Sequence, residues 1–374
     1  MRIADLRTPA ALVDLDALER NAVRMGANAA RLGVRLRPHV KTHKTLEAAR
    51  LQVRGHFGWI TVSTLAEAAF FAAGGFSDVT YAVPVAPAKL ADAAELAGRI
   101  ERFNLLVDHP DAAAAVETCA RERRAVLSVF LKVDCGYHRA GVDPTRAESA
   151  ALAAGLAASP HLDFRGILTH AGHSYRCRAA DELRTVAAQE RDVMTGFAGR
   201  LRAAGVRVEE VSIGSTPTLA VAGDLSGITE VRPGNYAFFD ATQAAIGSCA
   251  LDDVAFSVLV TVIGRYPERR ELLLDGGALA LSRDPGPAHV DPECGYGVVC
   301  AAGGAPLPGW RVVSLSQEHA LARSAQGLPA AAFPIGSQLR ILPNHSCLAA
   351  ALFERYAVVR GDLVVDEWRP ARGW

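Results

Sequence analysis

No run of about 18 apolar residues occurs in the chain, and that length is what a helical membrane span requires. An excess of either charge is missing as well. The 40 Lys and Arg residues balance 40 Asp and Glu, the formal net charge is zero, and no block of like charge stands out. A nucleic-acid partner or an anionic membrane surface is therefore not expected. Cysteine is scarce and unpatterned. The seven cysteines (Cys119, Cys135, Cys177, Cys249, Cys294, Cys300 and Cys347) are odd in number and form no Cys-x-x-Cys, as free thiols in a reducing compartment would. The opening Met1-Arg-Ile-Ala-Asp-Leu-Arg-Thr-Pro9 has no apolar run after its arginines, so no secretory signal is expected and the cytoplasm is the expected location. No Gly-x-Gly-x-x-Gly follows the first strand, which weakens a dinucleotide-binding reading.

What the chain does have is length and apolar content. Its 374 residues, half of them hydrophobic, suffice for one large barrel-type domain and a smaller one. Residues 7–15 read as an opening strand. A helix is expected next, with Asp16 as N-cap and Glu19 three residues on, in the manner of a capping box. Leu18, Ala22, Met25, Ala29 and Leu32 recur at helical spacing, and Gly33 stands where a C-terminal glycine belongs. Strand-like segments then start near Val34, Gly58, Asp78, Arg102, Ala125, Asp163, Val208 and Ile228, with alanine-rich helical segments between most of them. Eight strands alternating with helices predict an α/β fold, a (β/α)8 barrel.

After about residue 248 the texture changes to short segments rich in Val, Leu, Ile and aromatics, separated by Gly and Pro: Ala255–Tyr266, Glu271–Leu281, Gly297–Ala301, Trp310–Gln317, Gln338–Ile341 and Arg355–Val365. The expected division is a barrel over 14–248 and a mostly β C-terminal domain over 249–374, joined by residues 1–13.

Several polar clusters fall where barrel strands end, the place where barrel enzymes carry their active sites. The first is Arg37-Pro-His-Val-Lys-Thr-His-Lys44. A lysine at a strand end serves as a Schiff-base amine when burial or a neighbouring cation lowers its pKa, which singles out Lys41; the alternative is a solvated basic loop. The second and third, Val133–Gly141 and Leu168–Tyr175, also read singly as structural histidines or capping loops. The fourth, Val211-Ser-Ile-Gly-Ser-Thr-Pro-Thr218, runs a strand into two hydroxyls and a proline at the first helical turn, an anion site or an ordinary capped turn. The fifth, Glu230-Val-Arg-Pro-Gly-Asn-Tyr236, follows the next strand. Both occupy the seventh- and eighth-strand loops where barrel phosphates commonly sit. The sixth lies in the β domain. In Leu342-Pro-Asn-His-Ser-Cys347, His345 and Cys347 would share one face of a strand, an imidazole and a thiolate suited to zinc, or a structural His beside a buried Cys.

Taken together, these motifs resemble the D-serine dehydratase and D-threonine aldolase family of pyridoxal-phosphate enzymes, which share the barrel-plus-β-domain fold of alanine racemase. Val62-Ser-Thr-Leu-Ala-Glu67 and Tyr81-Ala-Val-Pro84 add to the likeness, which spans nearly the whole chain. The resemblance implies that Lys41 is the lysine bound to the cofactor and that Arg139 contacts the pyridoxal phenolic oxygen. It implies that His170 lies against the pyridine ring with Tyr175 nearby, and that Gly214, Ser215, Thr216, Gly234, Asn235 and Tyr236 hold the phosphate. It further implies that His345 and Cys347 bind a divalent metal, zinc in the first place. A His-x-Cys pair resembles the dehydratases, whereas the aldolases tend to carry Asp in the second position. The implied activity is β-elimination of D-serine or a related D-3-hydroxyamino acid. Retro-aldol cleavage of D-threonine is the alternative. Racemisation ranks lower because it has no hydroxyl for a metal to activate. A non-catalytic cofactor carrier would not need the C-terminal domain. A homodimer is implied by resemblance alone.

Overall fold

The computed structural model describes residues 1–326 and 332–374. The chain divides into two compact units. One comprises Arg24–Gly234 with Ala371–Trp374, and the other Met1–Val23 with Asn235–Pro370. The chain thus leaves the first of these at Gly234, whereas the sequence texture changes near residue 248.

After β1 (Ala10–Asp14), the first unit contains eight strands: β2 (Arg35–Leu36), β3 (Ile60–Val62), β4 (Asp78–Pro84), β5 (Arg102–Val107), β6 (Leu127–Lys132), β7 (Leu162–Leu168), β8 (Glu210–Ile213) and β9 (Glu230–Val231). They form one parallel sheet in the order β2-β9-β8-β7-β6-β5-β4-β3. A parallel bridge between His39 and Thr61 joins its two ends. The eight predicted strands are all present. β3, β6, β8 and β9 are buried along their whole length, as parallel strands covered on both faces are.

Part of the barrel interior is polar. Arg37 donates to Glu230 and to Asp78, each at 2.6 Å, and its guanidinium lies 4.9 Å from the Trp59 ring. Ser212 donates to Glu230 at 2.6 Å, Asn104 to Thr80 at 3.0 Å, and Ser128 to Asn104 at 2.8 Å. Buried charges survive only when paired in this way. The longest helix outside the barrel, Ala180–Ala203, buries the stripe Leu183, Ala187, Met194, Phe197 and Leu201. Glu190 lies in the same stripe.

The second unit holds β1 together with β10 (Phe256–Tyr266), β11 (Glu271–Leu274), β12 (Gly297–Ala301), β13 (Pro306–Leu315), β14 (Ala320–Ser324), β15 (Gln338–Pro343), β16 (Tyr356–Arg360) and β17 (Leu363–Trp368). These form a nine-stranded sheet in which β1 pairs antiparallel with β10 and parallel with β16. Leu12 and Val13 of β1 are completely buried, and such side chains each contribute roughly 1.5–3 kcal/mol. Phe238, Phe256 and Tyr356 pack ring on ring beside them.

Three local expectations are corrected. The first helix, Leu15–Arg31, starts straight from β1, so its cap is Asp14, whose carboxylate accepts from Ala17 N at 2.9 Å. Asp16 and Glu19 instead pair with Arg360. The segment 271–281 is not one strand. It breaks at Gly276-Gly277 and ends in a helical turn, Ala278–Leu281. β14 falls outside the expected strand segments, because no Gly or Pro marks its start. Among the described residues no helix is long and apolar enough to cross a membrane.

Candidate active site

In the barrel unit the residues singled out converge at the ends of neighbouring strands. Lys41 sits on a single helical turn, Val40–Thr42, just past β2. Its amide donates to Nδ1 of His39 at 3.4 Å. Three residues on, Lys44 is paired with the buried Glu67 at 2.9 Å, and Glu67 also accepts from the Ser63 amide at 2.7 Å. Lys41 has no carboxylate partner among the described residues, so of the two lysines it is the one left to react.

Its surroundings are cationic. Burial, reinforced by the charges of Lys41 and Arg232, holds His39 well below its ordinary 6.5. Burial, with Lys41, Lys132 and Arg139, does the same to His170. Nδ1 of His170 lies 3.4 Å from the Gly214 carbonyl. A carbonyl only accepts, so in that contact Nδ1 carries the hydrogen and Nε2 keeps its lone pair. Tyr137 meets His170 edge to face, with centroids 6.2 Å apart, and the Arg139 guanidinium lies 5.0 Å from the Tyr137 ring. Arg139 is exposed. Tyr175 is half-buried on the turn Gly172–Arg176 that follows His170.

The loop after β8 is tightly organised. Ser215 caps the short helix Thr216–Val221, and its own amide donates to Thr218 Oγ1 at 3.2 Å. The Gly214 amide donates to Glu190 at 3.1 Å. Two of the backbone amides in the expected phosphate loop are therefore engaged within the protein. What this stretch offers an anion is its hydroxyls and close backbone approach. Gly214 has φ +118, where a Cβ would stand 3.0 Å from the Arg232 amide, and a Cβ on Gly234 would stand 2.7 Å from the His39 carbonyl. Only glycine lets these loops pack so closely against the neighbouring backbone. Ser215, Thr216 and Gly234 are buried, as are Asn235 and Tyr236, the first residues of the second unit.

Sequence reading missed two groups here. Lys132, the last residue of the wholly buried β6, is pushed down to about 7 by burial and then by Arg232 and Arg139. Glu190 accepts from Ala171 N and Gly214 N at 3.1 Å on one oxygen and from Thr218 Oγ1 at 3.1 Å on the other. Each carried a signal: a charge closing an apolar strand, and a carboxylate within a helix's apolar stripe.

In the second unit, His345 and Cys347 come together, though not on a strand as expected. β15 ends at Pro343, His345 is the N-cap of the helix Ser346–Ala350, and Cys347 lies in its first turn. The thiol is within hydrogen-bonding reach of the imidazole. Behind the ring, Asp284 Oδ2 lies 2.9 Å from His345 Nδ1. Burial disfavours charge on His345, but Asp284 and Cys347, with Asp240, override it and raise the imidazole to about 11. Asp240 is buried and accepts from Asn235 Nδ2 at 2.8 Å and Ser346 N at 3.1 Å. Among the described residues no group of three or more His, Cys, Asp or Glu is arranged to hold a metal. The pair nonetheless fits a divalent ion. An imidazole with a carboxylate on its far nitrogen beside a thiol is a common ligand arrangement, and two protein donors leave positions for water and substrate.

A barrel with a lysine among cations, glycine-lined loops and an appended antiparallel sheet defines a pyridoxal-phosphate enzyme of the alanine-racemase fold. Residues 13–242 match the family described as alanine racemase, N-terminal domain, and residues 255–359 match the one described as serine dehydratase domain. The chain belongs to the D-serine dehydratase and D-threonine aldolase family of pyridoxal-phosphate-dependent lyases. It is 41% identical to the D-threo-3-hydroxyaspartate dehydratase of Delftia sp. (strain HT23), over 99% of this chain and 98% of that protein. It is 38% identical to the D-serine dehydratase of Dictyostelium discoideum, over 100% and 98%, and 30% identical to the D-threonine aldolase of an Arthrobacter species, over 100% and 94%. The solved structure of the Delftia enzyme superposes with a TM-score of 0.96, covering 100% of both chains. That enzyme has also been solved as a His-to-Ala variant and as a Cys-to-Ala variant in the metal-free form.

Proposed function

We propose that the protein is a zinc-dependent member of this family that eliminates water from a D-3-hydroxyamino acid, D-serine in the first instance, to give a 2-oxo acid and ammonia. The observation that carries the dehydratase reading is the His345–Cys347 pair with Asp284 behind the imidazole. The reading is supported by the Delftia dehydratase, whose Cys-to-Ala variant has been solved in a metal-free form.

Pyridoxal phosphate, when bound, supplies the electron sink for charge developing at the substrate Cα. Lys41 would bind it and, once released by substrate, take the Cα proton as general base. No carboxylate among the described residues pairs with its side chain, and burial holds the neighbouring imidazoles of His39 and His170 neutral. Arg139 would meet the phenolic oxygen. His170, fixed through Gly214, would present an uncharged ring to the pyridine, with Tyr175 alongside. Ser215 and Thr216, with Gly214, Gly234, Asn235 and Tyr236, would hold the phosphate. A divalent ion held by His345 and Cys347 would polarise the β-hydroxyl and favour its departure. The reading includes a cytoplasmic homodimer acting on a small D-amino acid, with no nucleic-acid or membrane partner.

The test is a product assay on protein loaded with pyridoxal phosphate and zinc, with D-serine, D-threonine and D-threo-3-hydroxyaspartate in parallel. Pyruvate, 2-oxobutyrate or oxaloacetate with equimolar ammonia is the expected result. Glycine and acetaldehyde from D-threonine would establish the aldolase instead, the activity named for the Arthrobacter relative.

A further inference from the structure

Glu190 lies on the helix Ala180–Ala203, yet it is completely buried and touches three points of two active-site loops. One carboxylate oxygen accepts from the amides of Ala171, just past His170, and of Gly214. The other accepts from the Thr218 hydroxyl, which in turn lies 3.0 Å from Ser215 Oγ. The Gly214 peptide is thereby held at both ends, its N–H by Glu190 and its carbonyl by His170. A second strap joins the same loops, since Ser174 Oγ lies 3.0 Å from Ser215 Oγ. A bare carboxylate in a helix's apolar stripe is costly to bury, and nothing in the packing of that helix requires one: its neighbours in the stripe are Leu183, Ala187, Met194 and Phe197. What it does satisfy is a pair of backbone amides at loops that have no strand partner to take them.

We propose that Glu190 is a positioning residue for cofactor binding, which locks the phosphate-side loop Gly214–Thr218 to the His170 loop in the geometry that receives the cofactor's phosphate. This rests on the assignment of Gly214, Ser215 and Thr216 to the phosphate. The hydrogen-bond pattern defines the chemistry needed. Both amides converge on one oxygen, so a side-chain amide serves equally well: the oxygen of a glutamine accepts from Ala171 and Gly214, and its nitrogen donates to Thr218 Oγ1, whose hydrogen then turns to Ser215. Alanine at this position leaves two buried amides without an acceptor.

The experiment measures dissociation constants of pyridoxal 5'-phosphate and of pyridoxal, which lacks the phosphate, for the full-length chain freed of cofactor, by visible absorbance. Circular dichroism checks the fold. The expected result is that Glu190→Ala weakens pyridoxal phosphate by about ten- to a hundredfold while changing pyridoxal by less than about twofold, and that Glu190→Gln stays within about threefold of the wild type for both. Should Glu190→Ala not fold, Thr218→Val cuts the same link at its hydroxyl and is expected to give a phosphate-specific loss of about three- to tenfold. Equal weakening of both ligands, no weakening, or a Glu190→Gln variant as impaired as Glu190→Ala overturns the proposal while leaving the phosphate assignment standing. A wild-type protein that binds pyridoxal as tightly as its phosphate overturns that assignment, and the proposal with it.

Discussion

The two units treat the same side chain in opposite ways. In the barrel unit, His39 and His170 are buried among Lys41, Lys132, Arg139 and Arg232 and are held well below 6.5. In the β unit, His345 is also crowded, but Asp284, Cys347 and Asp240 outweigh burial and raise it to about 11. Desolvation acts against the imidazolium in both places, so the sign is decided by the neighbours. A cluster in which cations outnumber carboxylates suits an anionic ligand such as a phosphate. A cluster of carboxylate and thiol around an imidazole suits a cation.

The comparison is broken most severely by Lys41→Ala. The visible absorbance of lysine-bound cofactor should vanish and kcat fall by roughly 10²–10⁴-fold, as loss of a general base does. Absorbance that persists and can be fixed by borohydride to another lysine refutes the assignment. Next in size is Arg37→Ala, which probes charges that the barrel does pair. It strands Glu230 in the interior, leaves Asp78 with Arg102 alone, and should cost about 3–5 kcal/mol in urea unfolding. Burial alone would raise Glu230, yet Arg37 and Ser212 hold it below its ordinary 4.5. The stability it contributes is therefore complete above pH 4.5 and is lost as the pH falls through the depressed folded value.

On the anionic side, Asp284→Asn removes the charge behind His345 and should weaken zinc about 10- to 100-fold in a chelator competition, with activity restored by excess zinc. His345→Ala and Cys347→Ala should each lower bound zinc and activity together. Activity that survives both substitutions and chelation would remove the metal from the mechanism. The smallest effect is expected at Asp14→Ala, which removes a helix cap and touches no histidine. A loss of about 1 kcal/mol is expected, with catalysis unchanged.

Legibility in the sequence followed how local each signal was. The eight barrel strands are legible because they alternate regularly with alanine-rich helices, and most of them are apolar runs. Lys41, His170 and the Gly214 and Gly234 loops were readable because strand ends concentrate polar residues. The spacing of His345 and Cys347 identified the pair, although a turn into a helix, not a strand face, brings them together. Asp284 stands 61 residues from His345 and belongs to no motif, so only the fold brings it to the ring. The Asp14 cap was displaced by two residues because nothing in the sequence shows that strand and helix abut. Glu190 and Lys132 belong to no motif: each is a single charge in an apolar pattern, whose partners lie on other elements that only the fold brings together.

The pairing of β1 has a consequence for how the chain is made. β1 finds its neighbours only at Phe256–Leu259 and Tyr356–Val359. The barrel is no more self-sufficient during synthesis: β2 pairs with Glu230–Val231, and the carbonyl of Lys44, three residues past the reactive lysine, accepts from the amide of Ala371 at 2.7 Å. The apolar strand Ala-Ala-Leu-Val therefore waits unpaired until Phe256–Leu259 has been synthesised.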